Sequence, residues 1–467
     1  MSLRARFDAM AEERPRWVRR NRYYYSELIR WLKANIPEDG TVLEIGCGTG
    51  DLLAALPNRL RYGIDFSPRM VELARARYPD LHLAVMDAQA LGFSAPFDYI
   101  VLSDLVGHLV DVQGVLEGLA RICHPRTRIL INSYNHLWRP LLAMAERCGW
   151  KMPEGIHNWI NLGDLRIFLQ ISGFEAVRTR MRLLLPLPLP LLASLCNRWL
   201  VHLPGVRLFG LVQCVIARPL TCRLPQQPSI SVIVPARNEA GTIDAAVRRL
   251  PRMGAFTELI FVEGGSTDGT AEEIARVVEQ YGSGELRIRS VTQPGRGKGD
   301  AVRAGFALAK GEILAILDAD LTVPPEDLAR GYRLLVSNRA EFVNGCRLIY
   351  PMEEEAMQTL NRVGNKFFSL LFTWLLDQPL RDTLCGTKLL YRRDYLRIER
   401  LRRQSGSVDP FGDFDLLFGA TMLNLKILDL PVRYRRRSYG STNIDRWRHG
   451  WLLLRMSWKA FRRIKQS

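Results

Sequence analysis

The chain has 467 residues, 47% of them hydrophobic, which excludes general disorder and predicts two to four domains. Its formal charge of +17 points to an anionic partner, whether nucleic acid, membrane or phosphorylated substrate. The seven His and eight Cys are scattered without CxxC or clustered spacing, which argues against a structural zinc or a disulfide framework and for a reducing compartment.

The opening stretch MSLRARFDAMAEERPRW has no apolar core of signal-peptide type. Tyr23–Ile36 has helical apolar spacing, and Thr41–Ile45 reads as a strand entering Gly46-Cys47-Gly48-Thr49-Gly50. Glycines there permit a tight turn and close backbone approach to a ligand. The dinucleotide fingerprint fails, because Asp51 follows Gly50.

The wider string VLEIGCGTG resembles the first motif of class I S-adenosylmethionine (SAM)-dependent methyltransferases, and further pieces follow in order. Tyr62-Gly63-Ile64-Asp65 resembles their second strand, whose terminal acid binds the ribose. Val85-Met86-Asp87-Ala88 resembles the segment that reads the adenine, and Phe97–Leu102 the fourth strand. The likeness covers about residues 20–218 and implies a Rossmann-like fold with Glu44, Gly46, Gly48, Gly50, Asp65 and Asp87 around SAM. Methyl transfer is an in-line displacement driven largely by positioning. A hydroxyl acceptor would add a base; His108, His136 and His157 are the imidazoles on hand, and none is assigned.

Met181–Leu195, leucine-rich and proline-broken, reads equally as a core excursion or as a patch resting on lipid. Leu211–Ala217 reads as a closing strand. Residues 219–229, with three prolines, read as a linker between a domain at 1–218 and one at 230–467.

The second half repeats a strand–loop–helix rhythm, which predicts a parallel sheet. Ser231–Val234 leads into Pro235-Ala236-Arg237-Asn238-Glu239, and Leu259–Val262 into Glu263-Gly264-Gly265-Ser266-Thr267-Asp268. Leu286–Val291 leads into Gly295-Arg296-Gly297-Lys298-Gly299. The apolar run Ile313–Leu317 ends in Asp318-Ala319-Asp320. Side chains at i and i+2 of an extended segment share a face, so both carboxylates reach one point at the strand's C-terminal end. Two hard oxygen donors there suit Mg²⁺ or Mn²⁺ holding a diphosphate.

This half, about 230–445, resembles the family 2 glycosyltransferases of GT-A fold, especially dolichyl-phosphate mannose and glucose synthases. The resemblance implies a nucleotide-sugar site from Pro235, Arg237, Glu239, Glu263, Asp268 and Lys298, and a metal held by Asp318 and Asp320. Asp382-Thr383-Leu384-Cys385-Gly386-Thr387-Lys388 resembles the acceptor-side segment of the glucose-type enzymes, and Gly412-Asp413-Phe414-Asp415 a further acidic motif. Two departures stand out: Glu263-Gly264 replaces the usual Asp-Asp, and Thr322 stands where mannose-type synthases often carry a Gln metal ligand.

The expected fold is therefore two doubly wound α/β domains, and the expected protein a bifunctional transferase. Breaking the sugar–diphosphate bond puts negative charge on the leaving group, which the metal and Lys298 would stabilise. A lipid phosphate acceptor needs no base; Arg347, Lys388 and Arg437, within the run Arg435-Arg436-Arg437, are the residues expected to hold it. A sugar hydroxyl in a growing cell-surface glycan would need Asp413 or Asp415 as base. A third reading makes the first half a SAM-binding module without turnover. Phe367–Leu376, and Trp447 to Ile464 with interleaved Arg446, Arg448, Arg455, Lys459, Arg462 and Arg463, have the composition of interfacial segments, or of packed helices. No apolar run reaches the ~20 residues of a spanning helix. The expectation is a peripheral protein on the inner face of the cytoplasmic membrane. Its partners would be a nucleotide sugar, a polyprenyl phosphate and the membrane surface, with no nucleic acid.

Overall fold

A computed structural model describes residues 3–153, 155, 158–220, 227–282, 286–350, 359–405, 409, 412–437, 439 and 446–466. The chain divides into two compact units, Met1–Cys222 and Arg223–Ile464.

The first unit is built on seven strands: β1 (Val42–Ile45), β2 (Arg61–Asp65), β3 (His82–Val85), β4 (Phe97–Ser103), β5 (Cys123–Tyr134), β6 (Phe174–Arg182) and β7 (Val212–Pro219). Their order is β3-β2-β1-β4-β5-β7-β6. The first five are mutually parallel, and β7 runs antiparallel to both β5 and β6. Alternation along β1 explains why its sheet is covered twice. Val42 packs with Tyr99 and Val101 on one face, while Leu43 and Ile45 pack with Ile100 and Leu102 on the other. Each such side chain contributes roughly 1.5–3 kcal/mol by leaving water.

The second unit has β8 (Ile230–Ala236), β9 (Thr257–Glu263), β10 (Arg287–Thr292), β11 (Ile313–Ile316), β12 (Phe342–Cys346), β13 (Lys388–Tyr391) and β14 (Ile427–Pro431), in the order β10-β9-β8-β11-β13-β12-β14. Val232, Val234, Ile313 and Ala315 fill one core layer, and Ile233, Leu314 and Ile316 the other. Strands β10, β9, β8 and β11 are parallel as expected.

The sheet is not parallel throughout, which corrects the reading of the second half. β13 lies antiparallel to β11 and β12, with Lys388 opposite Ile316. The pairing sets the start of β13 beside the end of β11, so the chain enters β13 from the carboxyl edge. That reversal places the 382–388 segment beside Asp318 and Asp320. Among the described residues no helix is long and apolar enough to cross a membrane.

Candidate active sites

In the first unit Gly46, Gly48 and Gly50 all take left-handed backbone, at φ 74°, 52° and 77°. A Cβ on Gly46 would lie 2.8 Å from Leu105, and one on Gly48 2.7 Å from Arg14 Nε, so these two positions are tight as well as left-handed. Asp65, at the end of β2, is buried and accepts the Gly48 N–H and the Ser67 N–H, each at 2.9 Å. Burial raises its carboxyl, against those two hydrogen bonds. Glu44 on β1 is 3% exposed, and burial pushes it up to about 8 despite the opposing charge of Arg14. Its Oε2 has no hydrogen-bond partner among the described residues. Asp87 lies exposed after β3 and accepts the Gln89 N–H at 2.9 Å. A turn with three left-handed glycines beside two buried carboxylates, one with an oxygen unpartnered among the described residues, fits the donor-rich face of SAM.

The first-unit edge holds residues the motifs did not flag. Asp104, at φ 51° just after β4, accepts the Tyr24 hydroxyl at 2.7 Å and the Asn132 amide at 2.9 Å. Burial first, then Asp104, raises the Tyr24 phenol well above its ordinary value. The sequence signal was slight: a Ser-Asp pair leaving a strand, and tyrosines on a distant helix. His108 packs edge-on against Phe7 at 5.4 Å, His136 lies exposed in a short turn, and His157 falls outside the described residues.

In the second unit the expected loops do meet at one edge. Lys298 Nζ lies 2.5 Å from Asp318 Oδ1 and 4.0 Å from Asp413 Oδ2. Burial pulls the ammonium down, but those two carboxylates carry it well above its ordinary value. Asp320 accepts from Thr322, backbone at 3.1 Å and hydroxyl at 2.9 Å, around a turn that holds Leu321 at φ 49°. Its other oxygen accepts from Arg437 Nη2 at 2.7 Å. Arg437 Nη1 donates to Glu239 at 3.1 Å. Glu239 is buried and pushed up to about 7, by desolvation first, with Asp320, Asp268 and Asp318 adding repulsion against Arg437. Asp413 is buried and raised by that burial, and its Oδ1 has no partner among the described residues.

Several expected roles change. Arg347, expected at the acceptor phosphate, is locked bidentately on fully buried Asp382, at 2.7 and 2.9 Å. Lys388 is fully buried with its Nζ on the Cys385 carbonyl, so its charge reaches Asp318 and Asp413 only through space. Arg437, also expected at the acceptor phosphate, is instead engaged by Glu239 and Asp320. Asp415 lines a small cavity with Phe306, Tyr395, Ile398 and Arg402, and it is Asp413 that lies beside Lys298. Glu263 accepts the Ser266 N–H at 2.6 Å and holds its own loop. Asp268 accepts the Ala240 N–H at 3.2 Å and the Tyr439 hydroxyl at 3.0 Å, pinning two neighbouring segments. Pro235 is the penultimate residue of β8, and Arg237 just beyond the strand is exposed.

Among the described residues no three His, Cys, Asp or Glu side chains are grouped as a ready metal cage. Asp318 and Asp320 supply two hard donors, which fits a Mg²⁺ or Mn²⁺ that takes its other ligands from diphosphate and water.

Comparison with known proteins follows the division of the chain. Residues 231–398 match the family model for glycosyl transferase family 2, and residues 17–179 that for a methyltransferase domain. The dolichyl-phosphate beta-glucosyltransferase of Homo sapiens is 30% identical over 242 residues, 48% of this chain and 71% of the relative. The chain belongs to glycosyl transferase family 2. It is a fusion, its family 2 unit preceded by a unit that matches a methyltransferase domain. Glycosyltransferase AglJ of Haloferax volcanii is 28% identical to the family 2 unit, over 52% of this chain and 75% of its own. Among solved structures, a Thermotoga maritima SAM-dependent methyltransferase described as a possible histamine N-methyltransferase aligns at 19% identity. It covers 46% of this chain and 99% of its own, at a TM-score of 0.38.

Proposed function

We propose that the family 2 unit transfers a sugar, with inversion, from a nucleotide sugar to a polyprenyl phosphate, and that the first unit methylates an acceptor from SAM. The observation that carries the first reading is the convergence of Asp318, Asp320, Glu239 and Asp413 with Lys298 and Arg437 at one sheet edge. Such an array of hard donors and cations suits a metal–diphosphate leaving group. The dolichyl-phosphate relative supports a lipid phosphate as acceptor.

Asp318 and Asp320 would hold a Mg²⁺ or Mn²⁺, which when bound would supply Lewis-acid neutralisation of charge on a diphosphate leaving group. Lys298, kept protonated by its two carboxylates, stabilises the same developing charge. The lipid phosphate attacks as an anion and needs no base. With Arg347 committed to Asp382, exposed Arg435, whose backbone N–H donates to the Thr322 carbonyl at 2.9 Å beside Asp320, is a cation that could draw that phosphate in. A second reading, glycan elongation, is favoured by Asp413: a buried carboxylate with a raised pKa beside Lys298 is placed to act as a base for a hydroxyl.

Membrane contact accompanies the lipid reading. On helix Arg446–Ile464, Leu453, Met456, Ala460 and Phe461 are buried, while Trp451, Leu454 and Trp458 are exposed beside Arg455, Lys459 and Arg462. Phe367 and Leu370 are exposed on helix Thr359–Leu376, which packs against it. Of the residues expected to form this face, the side chains of Arg446, Trp447 and Arg448 lie outside the described set.

The test is a transfer assay with labelled UDP- and GDP-sugars, polyprenyl phosphate and Mn²⁺ or Mg²⁺, with Asp320→Ala alongside. Labelled lipid that vanishes in the variant supports the lipid reading. Donor turnover into glycan alone, abolished by Asp413→Asn, would replace it with elongation.

A further inference from the structure

The methyltransferase unit carries an apolar surface that its own fold leaves uncovered. The 183–211 connection joins β6 to β7, and of its many large side chains few are buried, Leu183 and Val201 among them. Leu191 is 87% exposed, Phe209 62%, Leu208 58%, Leu187 54% and Leu195 50%. The reading of this stretch as a core excursion therefore fails. Helix Arg139–Arg147, which follows β5, has no buried residue at all, and Trp150 just beyond it is 57% exposed. The two stretches form one surface: Trp138 Nε1 donates to the Phe209 carbonyl at 2.8 Å, and the Asn135 amide donates to the Leu208 and Gly210 carbonyls at 2.9 and 2.8 Å.

Position and charge say what covers it. β5 and β6 point the same way as β1 and β4, so both stretches leave the sheet at the edge that carries Gly46–Gly50. Exposed Arg139, Arg147, Arg198 and Arg207 lie within them, the 183–211 connection contains no Asp or Glu, and Glu146 is neutralised by Lys151 at 2.9 Å. Exposed leucines, tryptophan and unopposed arginines together are the chemistry of an anionic bilayer surface rather than of a second protein's core. We propose that this edge of the methyltransferase unit docks on anionic lipid, so that the cofactor cleft opens towards the bilayer. The inference concerns the first unit and stands apart from the lipid acceptor of the family 2 unit.

The experiment is amide hydrogen exchange on the full chain with vesicles of equal parts phosphatidylglycerol and phosphatidylcholine, and with phosphatidylcholine alone. Peptides spanning 137–151 and 185–211 should exchange more slowly with the anionic vesicles. Unchanged exchange there while 446–464 becomes protected would overturn the proposal, because the family 2 unit alone would then hold the membrane. Protection that grows with protein concentration in the absence of vesicles would also overturn it, in favour of a second copy. As an independent arm, Leu191→Glu with Leu195→Glu should weaken vesicle partitioning about tenfold, with SAM binding and melting temperature unchanged. Partitioning equal to wild type would refute the docking surface.

Discussion

Arg347 separates a structural arginine from a substrate-binding one, and its pairing with Asp382 gives the numbers. Asp382 is fully buried and accepts five hydrogen bonds: from the Arg347 backbone, Nε and Nη2, from the Asn365 amide, and from the Leu384 N–H. Replacing it with Ala leaves a guanidinium only 11% exposed without its counter-ion. Breaking a buried pair in this way costs about 3–5 kcal/mol. Because Asp382 has no exposure, about 4 kcal/mol is expected from Asp382→Ala and a similar loss from Arg347→Ala. The double variant Arg347→Met with Asp382→Leu should recover at least ~2 kcal/mol of the summed loss, since no charge is stranded. Urea unfolding followed by tryptophan fluorescence measures all of these. Burial opposes ionisation of Asp382, but Arg347 holds the carboxyl well below its ordinary value. Its contribution is therefore present above the unfolded carboxylate pKa and is lost only as pH falls below about 4. Additive losses in the double variant, or an Arg347→Ala protein that folds normally with only a raised acceptor KM, would refute the structural assignment.

Glu44→Gln should change how stability depends on pH. A carboxyl raised from 4.5 to about 8 keeps its proton in the folded protein after the unfolded chain has released it, so wild-type stability falls as pH rises across that window. The variant should be flat there and more stable at pH 9 by at most about 5 kcal/mol, at 1.36 kcal/mol per pKa unit; identical thermal melts at pH 5 and 9 would contradict this. Arg437→Gln should bind Mn²⁺ about tenfold more tightly by calorimetry without nucleotide, because a cation competing for Asp320 and Glu239 is gone; unchanged affinity would remove Arg437 from that site. Gly386→Ala should cut transfer about a hundredfold with a near-normal melting temperature. Its Cβ would overlap the side-chain ends of Lys298 and Asp318, not backbone. Full activity would show that their placement is not critical.

What the sequence carried was local. The glycine turn off β1, the acids ending β2 and β11, and the loops after β8, β9 and β10 each declare themselves within a few residues, because strand alternation and turn chemistry act over that range. What it did not carry was pairing between distant segments. Whether Arg347 faces a ligand or Asp382, whether Arg437 reaches Asp320, and which of Asp413 and Asp415 faces Lys298 depend on contacts across tens to hundreds of residues. The reversal of β13 was hidden for the same reason: a short apolar strand reads alike in either direction. Tyr24, Asp104 and Asn132 come from three separate elements and form a cluster only once the sheet has assembled.

Leu321 takes a backbone conformation that leucine resists, at about 1–2 kcal/mol, and it does so at the turn that folds Asp320 onto Thr322. Its side chain is nonetheless buried in the core layer with Ile313, Ala315 and Leu317, so Gly or Asn there would relieve the strain but lose about 2–5 kcal/mol of packing. Packing therefore holds the strained turn in place, and the same side chain serves both durability and the aim of the Asp320 carboxylate. A library screened only for heat resistance should keep leucine here, and variants that lose it should melt earlier as well as transfer poorly.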